Sequence, residues 1–284
     1  MIVRVTYVSI IKKLKKCLFK KLKNKIKATI IITAEKQEKF IERCIKSCLR
    51  QSINDIEIIV VFTKLKNIDF LKKKFFLKNL IFLKVKRKFN NSTQDQLFKI
   101  KRGFLISKGG YIFLLDGDDV FKKEKVRKII NFIKNKKILY LDSFENIKNK
   151  KKVVNRVPEI KKSKLYTQLI NPWPKNICTS CISLNRRLLK EFFKQVEIKK
   201  YNYMAIDILL VIYIAIKYKI FQSKQVLTEK YFVESSVDSY YVGLFNRFYW
   251  LRRMEQHNFY SYIRKSKKIN LDLILTKLIN FFIK

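Results

Sequence analysis

Three of the ten aspartates in this 284-residue chain fall within four positions: Asp116, Asp118 and Asp119, in the run LLDGDDVF. The chain has a formal net charge of +43, so this knot of negative charge needs a reason. Grouped carboxylates at the end of a strand suit a hard divalent cation such as Mg2+ or Mn2+, which takes oxygen ligands and leaves room for substrate phosphates. An Asp-rich turn capping a helix that begins near Lys122 would need one such side chain, and three exceed that need. Four of the five glycines, Gly103, Gly109, Gly110 and Gly117, lie in the same stretch, marking close turns around the end of a buried strand. A second chemical candidate is Asp207, the one charge in the apolar run MAIDILLVIYIAI. A lone carboxylate there is costly to bury without a partner, and the simplest alternative is a cap on a helix running from Ile208.

The surrounding pattern supplies the scaffold. From Ala28 short β-rich runs alternate with helical ones: ATIII (28–32), a helix over Lys36 to Gln51, IEIIVVF (56–62), a Lys/Phe-rich helix near 68–79, LIFLKV (80–85), a helix over Gln94 to Ser107, and YIFLL (111–115). Such alternation predicts an α/β fold, a doubly wound and mostly parallel sheet with helices on both faces. In these sheets ligands bind beyond the carboxyl ends of the strands, which is where LLDGDDVF begins. The second half runs through NPWP (171–174) and CTSCISLNRRLLKEFF (178–193) into an apolar helix around 204–219, and residues 240–284 read as a helical, aromatic and basic segment. The chain divides into a basic helix at 1–27, a nucleotide-binding half at 28–142, an acceptor-side half at 143–239 and the helical segment at 240–284.

Composition excludes several classes. With 48% apolar residues the chain is not a disordered basic tail, and Lys interrupts every run that approaches a membrane-spanning length. The 52 Lys are scattered against only 13 Arg, which weakens a dedicated phosphate reader. Five cysteines, Cys44 and Cys48 being four apart on one apolar face, do not form a disulfide framework and point to a reducing, cytoplasmic setting. Cys178 and Cys181 lack a second ligand pair, and the single His257 is remote, so a zinc site is not expected. Residues 7–27 place Ile10, Ile11, Leu14, Cys17, Leu18, Leu22 and Ile26 at helical spacing, with nine Lys between positions 12 and 27. This basic amphipathic helix either docks on the body or lies on the anionic inner face of the cytoplasmic membrane.

The runs ATIII, EKFIERCIKSCLRQSINDIEIIVV and ISKGGYIFLLDGDD together resemble the first half of family 2 glycosyltransferases of the GT-A fold, over about residues 28–130. The resemblance implies a nucleotide-sugar donor, a glycan or lipid-linked acceptor, and Mn2+ or Mg2+ on the Asp-x-Asp motif. Carried across, Asp118 is the main metal contact with Asp116 beside it, Asp116 lies near the ribose, Asp119 orients the diphosphate or sugar, and Thr33 lines the donor site. Asp207 matches the carboxylate that serves the family as general base. Inversion at the sugar carbon is likewise implied by the resemblance alone. This chain departs from the pattern where the nucleobase is normally held: Glu35 stands for a stacking Tyr, Phe62 and Thr63 for an Asp pair, and Lys99, Ile100 and Lys101 for an Ala-Arg-Asn segment. The expected function is metal-dependent transfer of a sugar to an acceptor hydroxyl in bacterial cell-surface polysaccharide or glycolipid synthesis. The alternatives are a basic nucleic-acid-binding protein, motivated by the interleaved aromatic and basic residues at 240–264, and a non-catalytic glycosyltransferase-like subunit; no specific nucleic acid is expected as a partner.

Overall fold

The computed structural model describes residues 26–77, 79–134, 136–161, 169–231, 241, 243, 245–266 and 269–283. The basic helix expected over residues 7–27 lies outside the described residues apart from its last two positions. Strands β1 (Ala28–Ala34), β2 (Ile56–Phe62), β3 (Leu80–Lys84) and β4 (Tyr111–Asp116) pair in parallel in the order β3-β2-β1-β4. They alternate with α1 (Ile41–Leu49), α2 (Ile68–Lys74) and α3 (Ser92–Ile106). Every residue of β1 and β2 is buried, the reason that both read as continuous apolar runs rather than as alternating ones.

The sheet continues without a break into the second half. After β5 (Val120–Phe121) and α4 (Lys125–Ile133) come β6 (Ile138–Lys148), β7 (Lys151–Arg156), β8 (Ile182–Asn185), α5 (Arg186–Gln195), α6 (Ile206–Lys217) and β9 (Lys219–Tyr231). Among the described residues the nine-stranded sheet runs β3-β2-β1-β4-β8-β6-β9-β5, with β7 on the outer half of β6. Strand β8 is antiparallel to both β4 and β6, whereas β6 and β9 are parallel. Two helices, α7 (Arg247–Arg264) and α8 (Leu271–Phe282), complete the chain.

The period-two geometry of a strand divides the core. Ile31 of β1 belongs to the apolar cluster that holds Leu97, Ile100, Leu189, Leu209 and Phe259 on one face, while its neighbours Ile30 and Ile32 belong to the one that holds Cys44, Ile45, Ile129 and Phe113 on the other. Helices therefore cover both faces. The backbone comes closest at Gly109, where a Cβ would lie 2.4 Å from the Ala28 carbonyl carbon. Two local expectations shift. The helix read over Lys36 to Gln51 begins only at Ile41, because Lys36 takes a left-handed φ of 58° and residues 38–40 form a turn. The helix expected near Lys122 starts at Lys125, since Val120 and Phe121 pair first with Thr228 and Glu229. The long strands β6 and β9 sit in stretches whose Lys and polar residues hid their pattern.

A fully buried ion pair joins these parts. Lys125 Nζ donates to Asp142 Oδ1 (2.7 Å), to the Ser180 carbonyl (2.7 Å) and to Thr228 Oγ1 (2.6 Å), and lies 4.1 Å from the centre of the Phe121 ring. Both charged side chains are 0% exposed. Burial pushes the Asp142 carboxyl up, and Lys125 opposes that shift. Removing one partner leaves an uncompensated charge in a dry site, which costs roughly 3–5 kcal/mol, whereas a well-packed apolar pair is often tolerated. Lys125→Met should therefore lower unfolding free energy by about 3–5 kcal/mol, with Lys125→Met/Asp142→Leu recovering most of it. Urea denaturation of both variants checks this; equal loss in the two would show that the pair is not acting as a unit.

Candidate active site

Strand β4 ends at Asp116, and the chain turns tightly there: Asp119 N donates to the Asp116 carbonyl (3.0 Å) and Gly117 N to the Thr33 carbonyl (2.9 Å). A Cβ at position 117 would meet Thr33 O at 3.1 Å and Ala34 Cβ at 3.2 Å, so glycine lets the turn press against β1. The two carboxylates that lead the motif thereby emerge at the carboxyl edge of the parallel strands.

Asp116 is held in place by neighbours from three elements. Its Oδ1 accepts from Gln96 Nε2 of α3 (2.6 Å) and from Thr33 Oγ1 of β1 (3.2 Å), and its N–H donates to Ser180 Oγ (3.0 Å). Thr33, expected to line the donor site, is buried and reaches that site through Asp116. Burial, then the charge of Asp118, raise the Asp116 carboxyl to about 7; Lys230 and Gln96 oppose the shift, and Asp207 adds to it. Burial likewise raises Asp118, against its own backbone N–H, Lys230 and Arg43. Arg43 of α1 donates to the Asp118 carbonyl (2.9 Å) and stacks 3.3 Å from the centre of the Tyr231 ring.

Asp119 behaves differently. It is 2% exposed, and its two oxygens accept from Ser180 Oγ (2.6 Å) and the Tyr231 N–H (3.0 Å). Among the described residues no group of three or more His, Cys, Asp or Glu is arranged to hold a metal ion. Two adjacent carboxylates with raised affinity for protons nevertheless fit a hard cation, which commonly takes one or two carboxylates and completes its shell with substrate phosphates and water. Asp116 and Asp118 fit that description; Asp119 is a brace between β4, residues 179–181 and β9.

Asp207 lies in the first turn of α6 and accepts from the Ile208 N–H (2.7 Å), while Ala205 is the cap residue. It is half-buried, and its charge is among those that raise Asp116, so topology brings the second-half carboxylate towards the first-half motif. The loop before it is held by Glu255 of α7, which accepts from the backbone N–H groups of Asn202 (2.7 Å) and Tyr203 (2.8 Å).

At the far ends of β1 and β2 the altered positions form a charged set. Lys99, nearly fully buried, bridges Asp95 (2.8 Å) and Glu35 (3.3 Å), and Arg87 stands 3.5 Å from Glu35. Thr63 Oγ1 is buried without a hydrogen-bond partner. Cys178 and Cys181 are buried free thiols within a turn, Cys181 Sγ donating to the Cys178 carbonyl (2.9 Å). His257 is a packing residue: buried between Asn171 and Thr276, it is pulled down to about 4, chiefly by burial. Gln96, Ser180, Arg43 and Lys230 carried no motif signal; only the fold brings them to the carboxylates.

A mostly parallel α/β sheet with helices on both faces and aspartates at the carboxyl end of its fourth strand is the architecture of the GT-A fold. The family model described as Glycosyl transferase family 2 matches residues 29–195, more than half of the chain, and the chain belongs to that family. A sequence search of curated proteins finds no match. Among solved structures, S. aureus TarS 1-349 in complex with UDP-GlcNAc superposes with a TM-score of 0.60 at 14% identity, covering 90% of this chain and 71% of that one. Intact S. aureus TarS gives 0.58 at 14% identity, over 90% and 42% of the two chains. The mannosyltransferase PcManGT from Pyrobaculum calidifontis in complex with GDP-Man and Mn2+ gives 0.57 at 9% identity, over 90% and 69%. At these identities the likeness is one of fold.

The raised Asp116 has a signed consequence. Its folded affinity for the proton exceeds the unfolded one, so its contribution to stability is present at low pH and lost as pH rises from 3.8 towards about 7. Asp116→Asn, which keeps the acceptor oxygen for Gln96, should stabilise the metal-free chain at pH 8 by up to about 4 kcal/mol, with the gain vanishing towards pH 4. Denaturant titrations at the two pH values test this, and a pH-independent gain would contradict it.

Proposed function

We propose that the chain transfers a sugar from a nucleoside-diphosphate donor to an acceptor hydroxyl, in cell-surface polysaccharide or glycolipid assembly at the cytoplasmic face of the membrane. The observation that carries the reading is the convergence, in a family 2 chain, of Asp116 and Asp118 with Asp207, whose charge is felt at Asp116. Asp118 and Asp116 would hold Mn2+ or Mg2+, which supplies charge neutralisation for the departing diphosphate. Asp207 accepts the proton of the acceptor hydroxyl as its oxygen bonds to the anomeric carbon, and the bond from that carbon to the donor phosphate breaks with its electron pair leaving on the nucleoside diphosphate. A single displacement of this kind inverts the anomeric centre. Asp119 contributes by bracing the turn rather than by touching the sugar. The buried, unpartnered hydroxyl of Thr63 and the Glu35 carboxylate between Lys99 and Arg87 take over base recognition from the family's usual residues. The retained carboxylates favour an active enzyme over a non-catalytic relative.

Asp118→Asn should abolish the metal-dependent part of the thermal shift given by nucleotide sugars, while the ligand-free chain stays folded with a Tm no lower than wild type. Screening UDP- and GDP-sugars with and without Mn2+ reads this directly, since a ligand stabilises by RT ln(1 + [L]/Kd). A wild-type shift in the variant would place the metal elsewhere.

Asp207→Asn should lower kcat by roughly 10²- to 10⁴-fold with little change in donor affinity, the range that a positioned proton acceptor contributes. The experiment pairs turnover with donor titration; unchanged turnover would reduce Asp207 to stabilising the first turn of α6.

A further inference from the structure

Helix α8 is amphipathic in the reverse of the usual sense. Its inward face is polar: Asp272, Thr276 and Asn280, four residues apart, lie on one side. Asp272 pairs with Arg253 and accepts from the Asn171 N–H (3.1 Å), Thr276 meets His257 Nε2 at 3.2 Å, and Asn280 Nδ2 donates to the Trp250 carbonyl (3.0 Å). The only buried residue of the helix is Thr276. Its apolar side chains point away from the body: Leu271, Ile274, Leu275, Leu278, Phe281 and Phe282 are between 44% and 77% exposed. A polar network thus fixes α8 on α7 with its hydrophobic stripe turned outward, and a contiguous stripe of this kind marks an interaction surface.

Charge selects the occupant. Residues 241–284 hold nine Lys or Arg and two acidic residues, Glu255 and Asp272. Both acids are turned to the protein, Glu255 on the backbone of residues 202–204 and Asp272 on Arg253. Exposed Arg247, Lys265 and Lys277 therefore stand around the stripe without exposed carboxylates from its own segment. Exposed Phe245 and Phe248 add aromatic rings near the start of α7, the end to which Asn280 ties α8. A second copy would set two chains of +43 against each other. Residues 1–25, with nine basic and no acidic side chains, would meet a surface of their own sign.

We propose that α8 rests on an anionic lipid surface, its stripe inserted shallowly among the acyl chains and the surrounding Lys and Arg on lipid phosphates. The α7–α8 hairpin also holds, through Glu255, the loop that leads to Asp207. The inference does not depend on the donor or on the metal.

Sedimentation of the full chain with vesicles of phosphatidylcholine and phosphatidylglycerol tests it, with pure phosphatidylcholine as the comparison. Leu275→Glu/Leu278→Glu should lower vesicle partition by about tenfold or more, because it places charge in the inserted stripe. Both positions are exposed, so its Tm should match wild type and report an intact fold. The full-chain variant Leu14→Glu/Leu18→Glu separates the N-terminal stripe and should keep the part of binding that α8 supplies. The proposal is overturned if the wild type binds no vesicles, if it binds neutral vesicles as well as anionic ones, or if the α8 variant partitions like wild type. It is equally overturned if only the Leu14/Leu18 variant loses binding, or if the wild type is a dimer that the α8 variant splits while vesicle binding persists.

Discussion

The ammonium of Lys125 is the point on which this fold turns. It sits in a dry interior, and four groups from different parts of the chain converge on it: the Asp142 carboxylate of β6, the Thr228 hydroxyl of β9, the Ser180 carbonyl ahead of β8, and the Phe121 ring of β5. A charge that has lost its water must be matched by fixed partners, so each of these elements is constrained in position by the same requirement. Ser180 then passes the constraint to the site, its hydroxyl accepting from the Asp116 N–H and donating to Asp119. The carboxyl edge of the sheet is in this way referenced to a buried ion pair.

The site built on that frame is electrostatically unsatisfied. Asp116 and Asp118 are raised by burial, and Asp116 also by its neighbours' charge, while Gln96, Arg43 and Lys230 relieve only part of the strain. Buried carboxylates that disfavour their own negative charge are relieved by any cation placed beside them. Asp119 escapes this role because both of its oxygens are spent within the protein. The three aspartates therefore divide into two that stay half-buried and one that is buried and braces the turn.

The C-terminal hairpin shows the reverse distribution of polarity. Arg253, His257, Asp272, Thr276 and Asn280 are committed to the α7–α8 interface, leaving Leu and Phe side chains in the open. Hydrogen bonds make this docking specific in a way that apolar contact would not, because each buried polar group requires its own partner. The same hairpin holds residues 202–204 before α6 through Glu255, which links the exposed stripe to the segment that carries Asp207.

The alternation of ATIII, IEIIVVF, LIFLKV and YIFLL with amphipathic segments was enough to establish the parallel half of the sheet, because strands buried on both faces must be apolar throughout. The knot of aspartates in a strongly basic chain falls, as that strand pattern implies, at the carboxyl end of β4. Strands β6 and β9 were not legible, since ILYLDSFENIK and KIFQSKQVLTEKY carry buried polar residues whose partners lie as many as 103 positions away. Nor does LLDGDDVF by itself reveal that Asp119 turns inward, that Asp207 approaches Asp116, or that α8 faces outward. Each of those outcomes depends on which distant group supplies a hydrogen bond or a charge, and local periodicity records only which residues avoid water.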